Sequence, residues 1–143
     1  GRGRGGRGGG GAGRGGGNGS AAVLQQRKVD ANASIETINQ QVMFMRGKLK
    51  AAQSTAEIVP TAKSLVQLKP HFETMRTLLP PCQRAKDKPK PADKVAALRQ
   101  VVIGVLTDMY YVLIAARTYL ADANAEPQKV AQLQIILATM KSE

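Results

Sequence analysis

Between residues 31 and 52 apolar side chains recur at alternating steps of four and three: Ala31, Ile35, Ile38, Val42, Met45, Leu49 and Ala52. A spacing that averages about 3.5 residues holds one stripe of a helix against a partner helix. Gln, Asn, Lys and Arg between these positions supply the wet face. Three further segments repeat the pattern. Ile58, Ala62, Leu65, Leu68, Phe72, Met75 and Leu79 form the second stripe, and Val130, Leu133, Leu137 and Met140 form the last. The third, Val95, Leu98, Val102, Val105, Met109, Val112, Ala116 and Tyr119, is widened by Val101, Leu106, Leu113 and Leu120, which predicts the most buried helix. There is no Trp, and Phe44, Phe72, Tyr110, Tyr111 and Tyr119 are the only aromatic residues. A core drawn from Leu, Ile, Val, Met and Ala suits helix packing better than a sheet. The five Met residues (Met43, Met45, Met75, Met109, Met140) read mostly as core filler.

Helix bounds follow from local chemistry and predict segments at about 21–53, 55–79, 93–121 and 126–142. Ser54 and Glu57 have capping-box spacing, and Pro60 falls in the first turn, where a missing N–H costs least. Pro70 lies inside the second stripe and predicts a kink near Lys69 or a break there. Pro80 and Pro81 end that segment, and residues 82–92 make one long polar loop. Asp93 is placed to cap the third helix, and Pro127 to open the fourth. Short connections between the first and second and the third and fourth helices predict antiparallel neighbours. The expected fold is therefore all-α, an up-down-up-down four-helix bundle over residues 21–143.

Residues 1–20 are of another kind. Thirteen of the first nineteen are glycine and four are arginine (Arg2, Arg4, Arg7, Arg14). Such a segment has almost no apolar surface to bury and much backbone entropy to lose, so it reads as a flexible cationic tail. The chain has a net charge of +11, which the four tail arginines do not exhaust, so the helical part is basic as well. That balance implies an anionic partner: nucleic acid, anionic lipid or an acidic protein face. Arg84, Lys86, Lys88, Lys90 and Lys94 cluster in and beside the long loop, tempered by Asp87 and Asp93 and stiffened by Pro89 and Pro91. The cluster reads either as a solvated loop or as an electrostatic latch. Tyr110 and Tyr111 cannot both lie on one buried stripe, so they read either as ordinary edge-of-core packing or as candidate partner contacts.

Constellations that carry catalysis are missing. His71 and Cys82 are each the sole residue of their type, which leaves no metal cluster and no intrachain disulfide. His71 reads as a surface or bundle-end side chain, and Cys82 as a small residue at a helix exit. No Glu-x-x-His exists for a carboxylate-bridged metal pair, and the glycine tail lacks the Gly-Lys-Ser/Thr of a phosphate cradle. The expectation is a docking protein, with no enzyme activity, cofactor or metal. The apolar run from Val101 to Ala116 is shorter than a membrane span needs and contains Asp108. It reads as a buried helix.

Two family-level readings remain open. From Lys86 the order of features is a Lys/Pro/Asp linker (Lys86-Asp87-Lys88-Pro89-Lys90-Pro91-Ala92-Asp93-Lys94), then Ala97-Leu98, then a long apolar helix holding Leu106-Thr107-Asp108-Met109-Tyr110-Tyr111-Val112, a turn and a short last helix. This order resembles the PsbQ family of photosystem II extrinsic subunits. Two features depart from the family pattern: the Gly/Arg-rich tail, and Tyr110 where an acidic residue is expected. The resemblance implies a non-catalytic subunit, peripheral on the thylakoid membrane in the chloroplast lumen. It would dock on the acidic lumenal face of the photosystem II core and its other extrinsic subunits, and help retain the calcium and chloride of the oxygen-evolving manganese site. The contacts so implied are Arg2, Arg4, Arg7, Arg14, Arg84, Lys86, Lys88, Lys90, Lys94, Tyr110 and Tyr111. Alternatively, the tail resembles an RGG-type segment, which implies an RNA-binding or ribosome-associated helical module.

Overall fold

The computed structural model describes residues 21–142, which form four helices with no strand among them: α1 (Ala21–Ala51), α2 (Thr55–Leu78), α3 (Lys94–Leu120) and α4 (Pro127–Ser142). The tail and its arginines Arg2, Arg4, Arg7 and Arg14 lie outside the described residues. The starts of α2 and α3 have a chemical reason. Ser54 Oγ accepts from the Glu57 backbone N–H, and the Glu57 carboxylate reaches back to the Gln53 N–H at 2.8 Å. Two donors that no helical carbonyl can serve are thereby satisfied. Asp93 does the same for α3, its carboxylate accepting from the Ala96 N–H at 2.8 Å.

The four stripes meet in one aliphatic core. Ile38, Leu49, Ile58, Met75, Leu106, Val112, Leu113, Leu120, Leu133, Leu137 and Met140 are all but sealed from solvent, and Phe72 is the one aromatic residue of the core. Residues of the stripes that are only half-buried, such as Met45, Ala62, Val95, Leu98, Val105 and Tyr119, pack against its rim. One expectation about the core needs correction. Val101 does not widen the buried stripe of α3 but is 48% exposed. Met43 is likewise exposed, beside Phe44, whose ring carries the Lys48 ammonium 5.0 Å from its centroid. Of the two outcomes expected at Pro70, the break does not occur: α2 runs on to Leu78. A helix survives an internal proline when the carbonyl four residues back finds water, and both Val66 and Pro70 lie on the solvent side.

All four helices touch one another, and α3 shares the two largest interfaces, with α1 and with α2. At 27 residues it exceeds the 101–116 run drawn from hydropathy alone, and by length and composition it is long enough to cross a membrane.

Two arginines fix the direction of α1 against α3. Near the start of α1, Arg27 donates from Nε to the Leu120 carbonyl (2.7 Å) and from a terminal nitrogen to the Asp122 carbonyl (2.6 Å), at the end of α3. Near the start of α3, Arg99 donates to the Leu49 (3.1 Å) and Ala52 (2.6 Å) carbonyls, at the end of α1. Each cation thus adds a donor to carbonyls at the negative end of the other helix's dipole: Leu49 and Asp122 already accept a backbone N–H from Ala52 and Ala125, whereas Leu120 and Ala52 take theirs from the guanidinium. Start meets end at both sites, so α1 and α3 are antiparallel. An up-down-up-down course would set them parallel, and that expectation is overturned. The pairs joined by short connections, α1 with α2 and α3 with α4, share the smallest interfaces, and α1 with α3 the largest. A short linker dictates that helix ends are close, not that helix flanks pack.

Removing the Arg99 fork takes the donor from the Ala52 carbonyl and leaves the Leu49 carbonyl with the Ala52 N–H alone. Arg99→Ala is expected to lower unfolding stability by about 1–3 kcal/mol in urea titration, and Arg99→Lys to restore only part of it, because one ammonium cannot span both carbonyls.

Candidate functional site

The long loop between α2 and α3 is not a free arch. The Ala85 N–H donates to the Asp108 carboxylate at 2.6 Å. Further along, the Gln100 side-chain amide donates to the Lys88 (3.2 Å) and Pro89 (3.3 Å) carbonyls. The loop meets Asp108 first and Gln100 second, so the segment runs back along α3 towards its start. Asp108 is itself steadied by Arg76, which lies 3.9 Å from the carboxylate and donates to the Asp108 backbone carbonyl at 3.4 Å. Pro89 and Pro91 then restrict the backbone beyond the first anchor.

What the anchored loop presents is positive charge. Arg84, Lys86, Lys88 and Lys90 are exposed, as is Lys94 at the first turn of α3. Among the described residues none of the five reaches a carboxylate within ion-pair distance; the ion pairs found there join Arg76 to Asp108 and Lys129 to Glu126. Four of the five sit on one segment held in place by side chains of α3. Lys94 is close in sequence but does not line the groove described next.

Between loop and helix runs an open groove of about 830 Å³. Lys86, Lys88 and Lys90 stand on one side, and Val101, Gly104 and Tyr111 on the other. Of the two candidate tyrosines, Tyr111 lines this groove while Tyr110 is 41% exposed; their rings are 6.2 Å apart at 49°. A smaller cleft of about 160 Å³ lies on the other side of Asp108, lined by Lys69, Phe72, Glu73, Arg76 and Arg84. The third tyrosine serves the fold instead, since Tyr119 Oη accepts from the Glu126 N–H at 2.9 Å and braces the turn into α4. Cys82 is half-buried, packed on the core, with its thiol 3.5 Å from the Pro80 carbonyl. Among the described residues no three His, Cys, Asp or Glu side chains gather closely enough to hold a metal.

Residues that position this site were not singled out by sequence reading: Asp108 as the loop anchor, Gln100 as its second tie, and Gly104 as the opening in the helix face. A signal existed for Asp108, since a carboxylate in the middle of an apolar helix needs a partner. The chain matches no protein-family model, and no curated protein or solved structure is significantly similar to it.

If Asp108 holds the loop, Asp108→Ala should release it without unfolding the bundle. Hydrogen exchange at the Ala85 amide is expected to accelerate at least about tenfold while amides of α1 and α3 keep their protection. Equal exchange in the two proteins would mean that the loop is held by other contacts.

Proposed function

We propose that this protein is a non-catalytic docking subunit, which seats the cations of its 84–94 segment on an acidic protein surface. The single observation that supports this most is the fixing of that segment. A solvated loop gains nothing from a carboxylate and an amide that hold its backbone, whereas a latch does, because ordering paid in advance is not charged to binding. Lysines without internal carboxylate partners keep their charge for something outside. The chain course that goes with this reading is up-down-down-up, with residues 79–93 crossing back so that α2 and α3 run parallel.

On this reading the resemblance to PsbQ names the surface: the lumenal face of photosystem II, with the protein peripheral to the thylakoid membrane and contributing to ion retention at the manganese site. Lys86, Lys88, Lys90, Lys94, Arg84 and the tail arginines Arg2, Arg4, Arg7 and Arg14 are the contacts, with Tyr110 and Tyr111 beside them. The Gly/Arg tail supports a second reading, in which the bundle carries an RNA-binding segment.

The test is reconstitution of the full chain onto salt-washed photosystem II membranes. Rebinding is expected at low salt, with release approaching 1 M, where screening shortens to about 3 Å. The combined Lys86→Ala, Lys88→Ala and Lys90→Ala variant is expected to rebind about tenfold more weakly. Retention at about 1 M salt would overturn the electrostatic reading. Failure to rebind, together with RNA affinity that falls with log salt and less steeply once the four tail arginines are alanine, would favour the RNA reading.

A further inference from the structure

The groove beside the loop has a second chemistry that charge alone does not use. Its helix wall carries apolar surface beside Gln100, Thr107 and Asp108: Val101 is 48% exposed, and Tyr111 lines the same groove. One turn beyond Val101, and two turns before Tyr111, stands Gly104, in the interior of α3, where glycine weakens a helix relative to alanine. Close packing does not require it, since a Cβ added at Gly104 would meet no atom within 4 Å. The glycine therefore leaves a space open on the helix wall of the groove that Lys86, Lys88 and Lys90 also line.

We propose that this space is a socket for one large apolar side chain carried on an acidic segment of a partner protein. The side chain lies over Gly104, against Val101 one turn away, and flanking carboxylates meet Lys86, Lys88 and Lys90. Charge complementarity selects the segment, and the open helix face selects its anchor residue. A lipid tail fits the same lining less well. Asp108 and Gln100 line the groove too; beyond their bonds to Ala85, Lys88 and Pro89 each keeps acceptor lone pairs, which an acyl chain would cover dry and a partner backbone can meet. The inference rests on the docking reading above and adds to it a part that salt does not screen.

The probe is a short Glu/Asp-rich peptide with one central Phe, compared with the same peptide carrying Ala, bound to the full chain and followed by fluorescence anisotropy. The wild type is expected to prefer the Phe peptide by about tenfold, the scale of burying one large apolar side chain. That preference should persist as salt is raised. Gly104→Leu fills the socket and is expected to abolish the preference while leaving the melting temperature unchanged or higher, because leucine is the better helix former. Gly104→Ala should keep most of the preference. The triple lysine variant should weaken both peptides alike. Should Gly104→Leu fail to fold, Val101→Ser is the substitute, with a reduced preference expected. Equal, salt-sensitive binding of the two peptides by the wild type would overturn the socket and leave the docking reading standing. Binding of neither peptide at any salt would overturn both. A preference retained in Gly104→Leu would overturn the socket, as would tighter binding to phosphatidylglycerol vesicles than to either peptide.

Discussion

The pairing of α1 with α3 governs this molecule, and two guanidinium groups define it. Apolar stripes alone bring helices together but leave direction and axial offset loosely determined, because Leu, Ile and Val side chains interdigitate at many registers. Arg27 and Arg99 remove that freedom. Each is close to the start of its own helix and serves carbonyls at the end of the other. The span from Arg27 to Leu49 on α1 nearly equals that from Arg99 to Leu120 on α3. A slip of one turn would strip both sets of carbonyls at once. A core without Trp, and with Phe72 as its only aromatic, has few large shapes to impose register sterically. Polar ties at the two ends do so instead.

Once α3 is fixed, the loop is fixed with it. Asp108 is the link: its carboxylate takes the Ala85 N–H, and Arg76 reaches it from α2. The side chain is about one-third exposed, so the arrangement avoids the desolvation that a sealed ion pair would bear. The energetic stake in this link is modest, and its positional effect is large. It holds the segment from Arg84 to Lys90 against one helix face and keeps the lysines on one side of the groove. Charge on a free loop samples many positions and must be ordered on binding; charge on this one has lost most of that freedom already.

Much of the helical layout was legible because each element carries its own local reasons. The 3–4 stepping, the Ser54–Glu57 box, the Asp93 cap and Pro127 all act within a turn or two of themselves. What escaped has non-local causes. Direction escaped because a three-residue linker says which helix ends are near, whereas the Arg27 and Arg99 ties connect positions far apart in the chain. Val101 escaped because it occupies an apolar position beside a buried stripe, and only the path of the loop shows that this flank faces a groove. At Pro70 local propensity left kink and break both open, and whether a helix continues there depends on whether the orphaned carbonyl can reach water. For the site, the loop cations were evident from composition. Their anchors were not, since a carboxylate accepting one backbone N–H from a distant loop leaves no periodic trace.

At Gly104 these constraints meet. A glycine within a helix is ordinarily explained by the close approach of another backbone, a bend or a left-handed conformation, and α3 around it is continuous helix with open space where a Cβ would stand. Stability alone would favour alanine at such a position, since nothing would resist it. Gly47 in α1 is equally open; what distinguishes Gly104 is its place, one turn from Val101 on the wall of the groove that Lys86, Lys88 and Lys90 also line. A surface built only for charge would have no use for that gap, because lysines act across solvent and tolerate imprecise geometry. A surface that must also take up an apolar side chain needs a recess of fixed shape. The same ties that hold the cations in line hold the walls of that recess apart.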